Sequence, residues 1–154
     1  MTEFIYKSPI GNIKIIEEND SIISIRINDD ADDVNSRGAS QSIGDFSVQL
    51  DEYFNGKRKQ FNIDYKLEGT DFQKKVWSEL VDIPYGETRS YKEIASALGS
   101  SSAARAVGAA CRQNPLPIVI PCHRVIGSDG SLTGFGGGLE KKSWLLEHEK
   151  NNMQ

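Results

Sequence analysis

The sequence is poor in thiol and imidazole side chains. It holds two cysteines and two histidines in 154 residues, and all four lie at or after position 111. Neither a Cys-x-x-Cys nor a His-x-x-x-His pair occurs, so the spacing that is typical of structural zinc sites is missing. Two cysteines are also too few for a scaffold held together by disulfides. The sequence therefore predicts no metal site and no cofactor.

Long apolar runs are missing as well. No stretch approaches the roughly 20 apolar residues that a membrane-spanning helix needs. The N-terminal segment Met1-Thr2-Glu3-Phe4 lacks the basic and then apolar regions of a secretory signal. We therefore expect no membrane association, a cytoplasmic location, and free thiols in a reducing compartment.

An overall excess of positive charge is also lacking. The net charge is −4, which taken alone argues against a nucleic-acid partner. Residues 1–68 carry five more acidic than basic side chains, whereas residues 69–154 carry one more basic than acidic. Between positions 101 and 124 there are three arginines, Arg105, Arg112 and Arg124, and no acid. This segment predicts a local basic face, although three arginines in such a stretch also fit an ordinary solvated surface.

The first 65 or so residues have the pattern of a small α+β unit. Apolar and β-branched runs at 4–6, 13–16 and 22–27 predict strands. The polar stretch 28–42 predicts an exposed loop, and apolar residues at helical spacing over 43–54 predict a helix. Because nothing here indicates chemistry, we expect a supporting domain.

The pattern changes from β-rich to helical between Leu67 and Thr70, and we place a domain boundary there. Thr70 has the position of an N-cap for a helix whose apolar face includes Phe72 and Trp77. Pro84-Tyr85-Gly86 predicts the end of that helix.

Two further helices follow with a short turn between them. Ser90 and Glu93 form a capping-box pattern at the start of the first, and Gly99 predicts its end. Ser102 is the predicted cap of the second, over Ala103–Arg112. Two helices joined in this way are typical of a helix-turn-helix, and also of many plain helical hairpins.

Six of the ten residues of the helix predicted over 103–112 are alanine or glycine, and Arg105 is the long side chain near its start. Small side chains allow a helix to approach another surface closely. That surface is either a neighbouring helix or DNA, and the residues alone favour neither.

The pentapeptide Pro121-Cys122-His123-Arg124-Val125 places a thiol beside an imidazole and a guanidinium. Such neighbours favour a thiolate, which is the nucleophile of most cysteine chemistry. The apolar run 118–120, between Pro117 and Pro121, can anchor the segment in a core. On these residues alone, a cysteine hydrolase or transferase acting on a small substrate stays open, as does a helix-turn-helix regulator.

The order of motifs identifies a family. Six segments occur in this order: Ser90-Tyr91, Arg105-Ala106-Val107-Gly108, Asn114-Pro115, the pentapeptide at 121–125, the glycine loop at 134–138 and Trp144–Glu149. With these segments the chain resembles the O6-alkylguanine-DNA alkyltransferases, also called methylated-DNA–protein-cysteine methyltransferases.

The resemblance implies an α+β fold in two domains. Residues 1–68 would form a small N-terminal α/β domain of ribonuclease H-like type. Residues 69–154 would form a mostly helical domain of winged helix-turn-helix type that binds DNA and accepts the alkyl group. The match covers about 72–149, and the N-terminal half matches in size and general character.

The resemblance also implies roles for five catalytic residues. Cys122 would be the alkyl acceptor, and His123 would take its proton through a water. Glu149 would hold His123, Asn114 would hydrogen-bond near the reactive centre, and Tyr91 would donate a proton to the departing guanine.

Two further sets are implied, one for DNA and one for the base. Arg105 would fill the gap that the displaced nucleotide leaves, and its helix would lie in the minor groove. The implied DNA-binding residues are Ser90, Arg105, Ala106, Gly108, Arg112 and Arg124. The implied base pocket is formed by Val125, Thr133, Gly134, Phe135 and Gly136.

The implied activity is DNA repair in a single turnover. A monomer would bind double-stranded DNA, flip an O6-alkylguanine out of the helix and transfer its alkyl group to Cys122, with O4-alkylthymine as a further candidate lesion. Because a thioether has no easy leaving group, the protein would be consumed. The alternative within the resemblance is a lesion-binding sensor that transfers nothing, although such proteins replace the acceptor cysteine that is present here.

Overall fold

The computed structural model describes residues 1–27, 41–135 and 138–153. Most of the loop predicted over 28–42 lies outside the described residues, and so does Gly136 of the predicted base pocket. The chain divides into two compact units, Met1–Leu67 and Glu68–Gln154.

The N-terminal unit is an antiparallel three-stranded sheet with one helix. Strands β1 (Thr2–Ser8), β2 (Gly11–Glu18) and β3 (Ser21–Ile27) pair in chain order, and α1 spans Gln41–Phe54. The strand at 22–27 and the helix at 43–54 are confirmed, whereas the first two strands are longer than the predicted runs. Helix α1 begins at Gln41, so the last two residues of the predicted loop are helical.

An apolar core holds this unit together. Alternate residues of the strands point to one face, so Ile13 and Ile15 are fully buried, and Phe46, Leu50 and Tyr53 of α1 are fully buried as well. Their burial removes large apolar surfaces from water, which is the main favourable term in folding.

The C-terminal unit is mostly helical, as predicted. Its helices are α2 (Asp71–Val81), α3 (Tyr91–Ala97), α4 (Ala104–Arg112) and α5 (Leu139–Asn151). Short 3-10 turns cover Ser101–Ala103 and Cys122–Arg124, and the strands are β4 (Arg89–Ser90) and β5 (Val125–Ile126). The α+β fold class is thereby confirmed.

Local capping signals explain where two of these helices begin. Thr70 accepts a hydrogen bond from the Gln73 amide, and Ser90 accepts one from the Glu93 amide. In both cases the third helical residue reaches back to the cap, which completes a capping box.

The predicted cap Ser102 is wrong. Helix α4 begins at Ala104, after a 3-10 turn, and no side chain caps it. The Ser102 hydroxyl instead lies 3.1 Å from the hydroxyl of Ser100. This local hydrogen bond competes with capping of the helix.

A two-stranded parallel pairing brings distant segments together. Strand β4 pairs with β5 in the register Arg89↔Val125 and Ser90↔Ile126. Because Tyr91 follows β4 and Cys122–Arg124 precede β5, the start of α3 is held beside the cysteine segment.

Both cysteines are free and buried. Among the described residues, no helix is long and apolar enough to cross a membrane. The same residues contain no cluster of three or more side chains of the metal-binding types.

Candidate active site

A tight loop presents Cys122. The Asn114 side chain donates to the Ile120 carbonyl at 2.8 Å and accepts from the Leu116 amide at 2.9 Å, so it closes the loop between α4 and the cysteine. Ile118 within this loop is 2% exposed and has φ of 76°. A β-branched residue rarely adopts that conformation, so the surrounding packing must hold it. Asn114 is therefore placed where it fixes the loop before the thiol.

The Cys122 thiol is 5% exposed. Burial raises its pKa, and a hydrogen bond with Asn114 and the positive charge of Lys142 work in the opposite direction. Since the net direction is upward, the resting group is the thiol at neutral pH. The site needs a base if this sulfur is to react as a thiolate.

His123 is fully buried and has the contacts of such a base. Its Nε2 lies 2.6 Å from Oε2 of Glu149, while Nδ1 has no hydrogen-bond partner among the described residues. Burial lowers the pKa of His123 and outweighs the opposing effect of Glu149. A neutral ring that donates from Nε2 to the carboxylate keeps a lone pair on Nδ1, which can accept a proton.

Glu149 lies in the last turn of α5 and is fully buried. Burial alone would raise its pKa, but the charges and hydrogen bonds of His123 and Arg124 hold the pKa well below its usual range. The carboxylate also accepts from the Gly86 amide at 3.3 Å. It is therefore ionised and fixed from three sides.

The side chain of Arg124, which the resemblance placed in the DNA-binding set, is buried. It is 6% exposed, and its Nε and Nη2 donate to Glu149 at 2.7 and 3.0 Å. Its Nη1 donates to the Ile83 carbonyl at 2.7 Å. Three of the five N–H donors of this guanidinium are therefore used inside the protein.

Tyr91 begins α3 and faces the glycine loop. Its hydroxyl donates to the Thr133 carbonyl at 2.8 Å. Burial raises its pKa, and the largest opposing effect is the hydrogen bond that the Thr133 side-chain hydroxyl donates to the Tyr91 oxygen. The hydroxyl therefore keeps its proton at neutral pH and remains a possible donor.

Lys142 is a site residue that the sequence reasoning missed. It is fully buried on α5, and its Nζ donates to the carbonyls of Val125 at 2.6 Å and Thr133 at 2.7 Å. It also lies 3.4 Å from the Tyr91 hydroxyl. The available signal was its spacing of seven residues, two helical turns, from Glu149, which places both on one face of α5.

An open cavity of about 520 Å³ lies beside Tyr91. It is lined by Tyr91, Lys92, Ser101, Ala104, Arg105, Gly108, Arg112, Ser128 and Thr133. The structure thus brings together three members of the predicted DNA-binding set, Arg105, Gly108 and Arg112, with two members of the other predicted sets.

Helix α4 has one buried face and one exposed face. Val107, Ala110 and Cys111 are buried, and the Trp77 indole donates to the Ala110 carbonyl at 2.9 Å. Arg105 and Ala106 are exposed on the other face. The small residues therefore serve close packing on one side and leave the other side open.

Three further predicted residues are Ser90 of the DNA-binding set and Gly134 and Phe135 of the base pocket. Ser90 is 9% exposed, and its hydroxyl serves the helix cap. Phe135 is 9% exposed, and Gly134 has φ of 58°. A Cβ at Gly134 would come within 3.3 Å of the Arg112 guanidinium, so glycine suits both the backbone and the space.

The family models cover both units. Residues 71–151 match the model described as 6-O-methylguanine DNA methyltransferase, DNA binding domain. Residues 1–67 match the one described as 6-O-methylguanine DNA methyltransferase, ribonuclease-like domain. These two matches agree with the fold that the sequence resemblance implied.

Two similar proteins are both named methylated-DNA–protein-cysteine methyltransferase. A methylated-DNA–protein-cysteine methyltransferase of Methanosarcina barkeri is 58% identical over 106 residues, covering 69% of this chain and 67% of that protein. One from Mycobacterium tuberculosis is 45% identical over 147 residues, covering 94% of this chain and 89% of that protein.

Solved structures agree in fold. The O6-methylguanine methyltransferase of M. tuberculosis has a TM-score of 0.88 and 41% identity, covering 98% of this chain and 93% of that one. The OGT of the same organism in complex with DNA has a TM-score of 0.87 and 40% identity, covering 99% and 94%. With family models on both units and relatives of this similarity along nearly the whole chain, the protein belongs to the 6-O-methylguanine DNA methyltransferase family.

Proposed function

We propose that this protein is a methylated-DNA–protein-cysteine methyltransferase that repairs DNA by moving the alkyl group of O6-alkylguanine to Cys122. The observation that carries the proposal is the Cys122 thiol next to His123, a neutral base clamped by a buried carboxylate. Family membership and the relative in complex with DNA support the DNA substrate.

The reaction follows from these contacts. His123 takes the Cys122 proton on Nδ1 through a bridging water, and Glu149 stabilises the imidazolium that forms. The thiolate attacks the alkyl carbon, so the S–C bond forms as the C–O6 bond breaks. Tyr91 supplies a proton to the departing guanine, with Lys142 beside its hydroxyl to stabilise the phenolate.

The product explains why one turnover is expected. Cys122 ends as a thioether, and a thioether sulfur leaves a carbon far less readily than the O6 of guanine does. We therefore infer that each molecule accepts one alkyl group and is then spent.

Access to the lesion requires base flipping. The O6 atom lies inside the duplex, so the nucleotide must rotate into the cavity beside Tyr91. We infer that α4 enters the minor groove, where its small exposed residues permit close approach, and that Arg105 takes the place of the displaced base. Arg112, at the end of the same helix, is a further DNA-binding residue in this proposal. We also propose that the protein acts as a monomer.

The central test is modification of the protein by a lesion-bearing duplex. After incubation with a duplex that contains O6-methylguanine, mass spectrometry is expected to find one methyl group per protein, on Cys122. Cys122→Ala should accept none, whereas the matched control Cys111→Ala should still be methylated. Lesion binding without methylation would favour a sensor, and repeated turnover would favour a hydrolase.

A second test addresses the flipping role. Arg105→Ala should slow reaction with the duplex by about tenfold or more but leave reaction with free O6-benzylguanine nearly unchanged, because only the duplex has to be opened. Equal slowing of both reactions would contradict this role. A duplex that contains O4-methylthymine, offered to the wild-type protein, measures whether that lesion is also a substrate.

A further inference from the structure

Arg124 makes three hydrogen bonds inside the protein. Two of its nitrogens contact the Glu149 carboxylate, and a third contacts the Ile83 carbonyl. Its guanidinium also lies over the Tyr85 ring, 5.6 Å from the centroid. The carboxylate that holds the base His123 is therefore also bonded to Arg124, whose guanidinium is positively charged.

Sharing changes the balance of charge around His123. When His123 is neutral, the buried group of Arg124, Glu149 and His123 carries one positive and one negative charge and is neutral overall. Protonating His123 would give this buried group a net positive charge. The other ionisable groups facing the cluster are Lys142 of α5, the Cys122 thiol and the Tyr85 hydroxyl.

We propose that Arg124 is a positioning residue for alkyl transfer: it neutralises Glu149 so that His123 rests uncharged, with Nδ1 ready to take the Cys122 proton. This inference rests on the proposed function and adds a charge-setting residue to it. It also gives a task to the arginine of the Pro-Cys-His-Arg segment, which the sequence had assigned to DNA.

Removal of Arg124 shows why the charge matters. Without it, Glu149 would be a buried carboxylate beside His123 that lacks the guanidinium charge now offsetting its own. A protonated His123 then makes a neutral buried pair, which is favoured over a lone buried charge. The pKa of His123 should rise, in line with the lowering effect that the Arg124 and Lys142 charges have on it in the intact site. A protonated His123 has no lone pair for the Cys122 proton.

The guanidinium of Arg124 also connects two segments of the C-terminal unit. Ile83 and Gly86 belong to the turn after α2, and they contact Arg124 and Glu149 respectively. Gly86 has φ of 81°, and a Cβ there would lie 2.6 Å from the Met153 side chain. One guanidinium thus connects the turn to α5, and a lysine would keep the charge but lose the paired contact.

The first experiment uses the resting protein and needs no alkyl transfer. NMR titration of the imidazole carbons and nitrogens follows His123, which is easily assigned because the chain has only two histidines. Arg124→Met should titrate at higher pH than wild type, and Arg124→Lys should stay close to wild type. Arg58→Met, which removes a part-exposed Arg–Glu pair of the N-terminal unit, is the matched control and should not move His123. An unmoved titration in Arg124→Met would overturn the inference.

The second experiment follows the rate of alkyl transfer from free O6-benzylguanine between about pH 5 and pH 9. Because His123 must be neutral, the acid limb of the Arg124→Met profile should move to higher pH, with a loss of about tenfold or more on that limb and a smaller loss in alkali. A uniform loss at every pH would mean that Arg124 is only structural, and would overturn the inference while leaving the proposed function intact.

Folding of the variants is checked first by circular dichroism. If Arg124→Met does not fold, Arg124→Lys carries the test: its acid limb should keep the wild-type position while the plateau rate falls. A displaced limb in that variant would contradict the charge argument. Absence of transfer in the wild-type protein would instead refute the proposed function, and the NMR titration would still decide the role of Arg124.

Discussion

The two units of this protein differ in how deeply their paired charged side chains are buried. In the N-terminal unit, the ion pairs Lys14–Glu3 and Arg58–Glu52 are part exposed. In the C-terminal unit, Arg124, Lys142 and Glu149 are buried around His123. Burying charge is costly even when the charges are paired. Among the described residues, the N-terminal unit therefore buries mainly apolar side chains, with Glu17 at 6% exposure as an exception, whereas the C-terminal unit also buries a cluster of charged groups around His123.

The largest effect is expected from Glu149→Gln. It removes the only carboxylate of the buried cluster and leaves Arg124 uncompensated, so we expect a loss of about 3–5 kcal/mol in the free energy of unfolding. Alkyl transfer should fall with it. Glu52→Gln, in the exposed pair, should cost less than about 1 kcal/mol. Urea titrations of both variants measure the difference, and similar costs would break the comparison.

Phe46→Ala should cost nearly as much stability but spare the chemistry. Phe46 is fully buried and meets the Phe61 ring edge-on at 5.8 Å, so its removal leaves a cavity and costs about 3–5 kcal/mol. Val48→Ala on the same helix, where Val48 is 58% exposed, should have little effect. Benzyl transfer by the folded Phe46→Ala protein should match wild type, and a rate lowered in proportion to stability would show that the N-terminal unit takes part in the reaction.

Lys142→Met tests the second buried cation. Its positive charge favours the Cys122 thiolate, and its Nζ supports Val125, Thr133 and Tyr91. Alkylation of Cys122 by free O6-benzylguanine should slow by about tenfold or more, since one pKa unit of the thiol corresponds to a tenfold change in thiolate. Lys14→Met, in the exposed pair, is the control and should react at the wild-type rate.

The smallest effect is expected at the helix caps. Ser90→Ala and Thr70→Ala each remove one side-chain acceptor from a helix start, and each should cost about 1 kcal/mol. Both tryptophans, Trp77 and Trp144, lie in the C-terminal unit, so their fluorescence reports the unfolding of that unit. A much larger cost at Ser90 than at Thr70 would mean that the cap next to Tyr91 is coupled to the buried charges.

Sequence patterns predicted the features that depend on neighbours along the chain. The caps at Thr70 and Ser90 are confirmed because each needs only the residue three positions later. The strand at 22–27 and the helix at 43–54 follow from the spacing of apolar residues. The cap at Ser102 is wrong because adjacent serines offer several equivalent local hydrogen bonds, and the sequence does not choose among them.

The candidate site divides in the same way. Cys122 and His123 were recognisable as a reactive pair, and the resemblance added Glu149 from a segment 26 residues further on. Arg124 was assigned to the DNA-binding set and Lys142 was not singled out, since long charged side chains are normally at the surface. Arg124 finds the Ile83 carbonyl 41 residues away, and Lys142 finds the Val125 carbonyl 17 residues away. Such partners cannot be read from local spacing.

By itself, the sequence predicted the strand at 22–27, the helix at 43–54, the caps at Thr70 and Ser90, the family and the sulfur expected to react, because these depend on local preferences and on motif order. The tertiary structure alone decided that Arg124 lies inside the protein and that Lys142 donates to the carbonyls of Val125 and Thr133. It also decided that Nδ1 of His123 is the ring nitrogen without a hydrogen-bond partner in the described part of the chain. The physical reason is that a buried charge is tolerated only where the fold brings opposite charge and hydrogen-bonding groups to it.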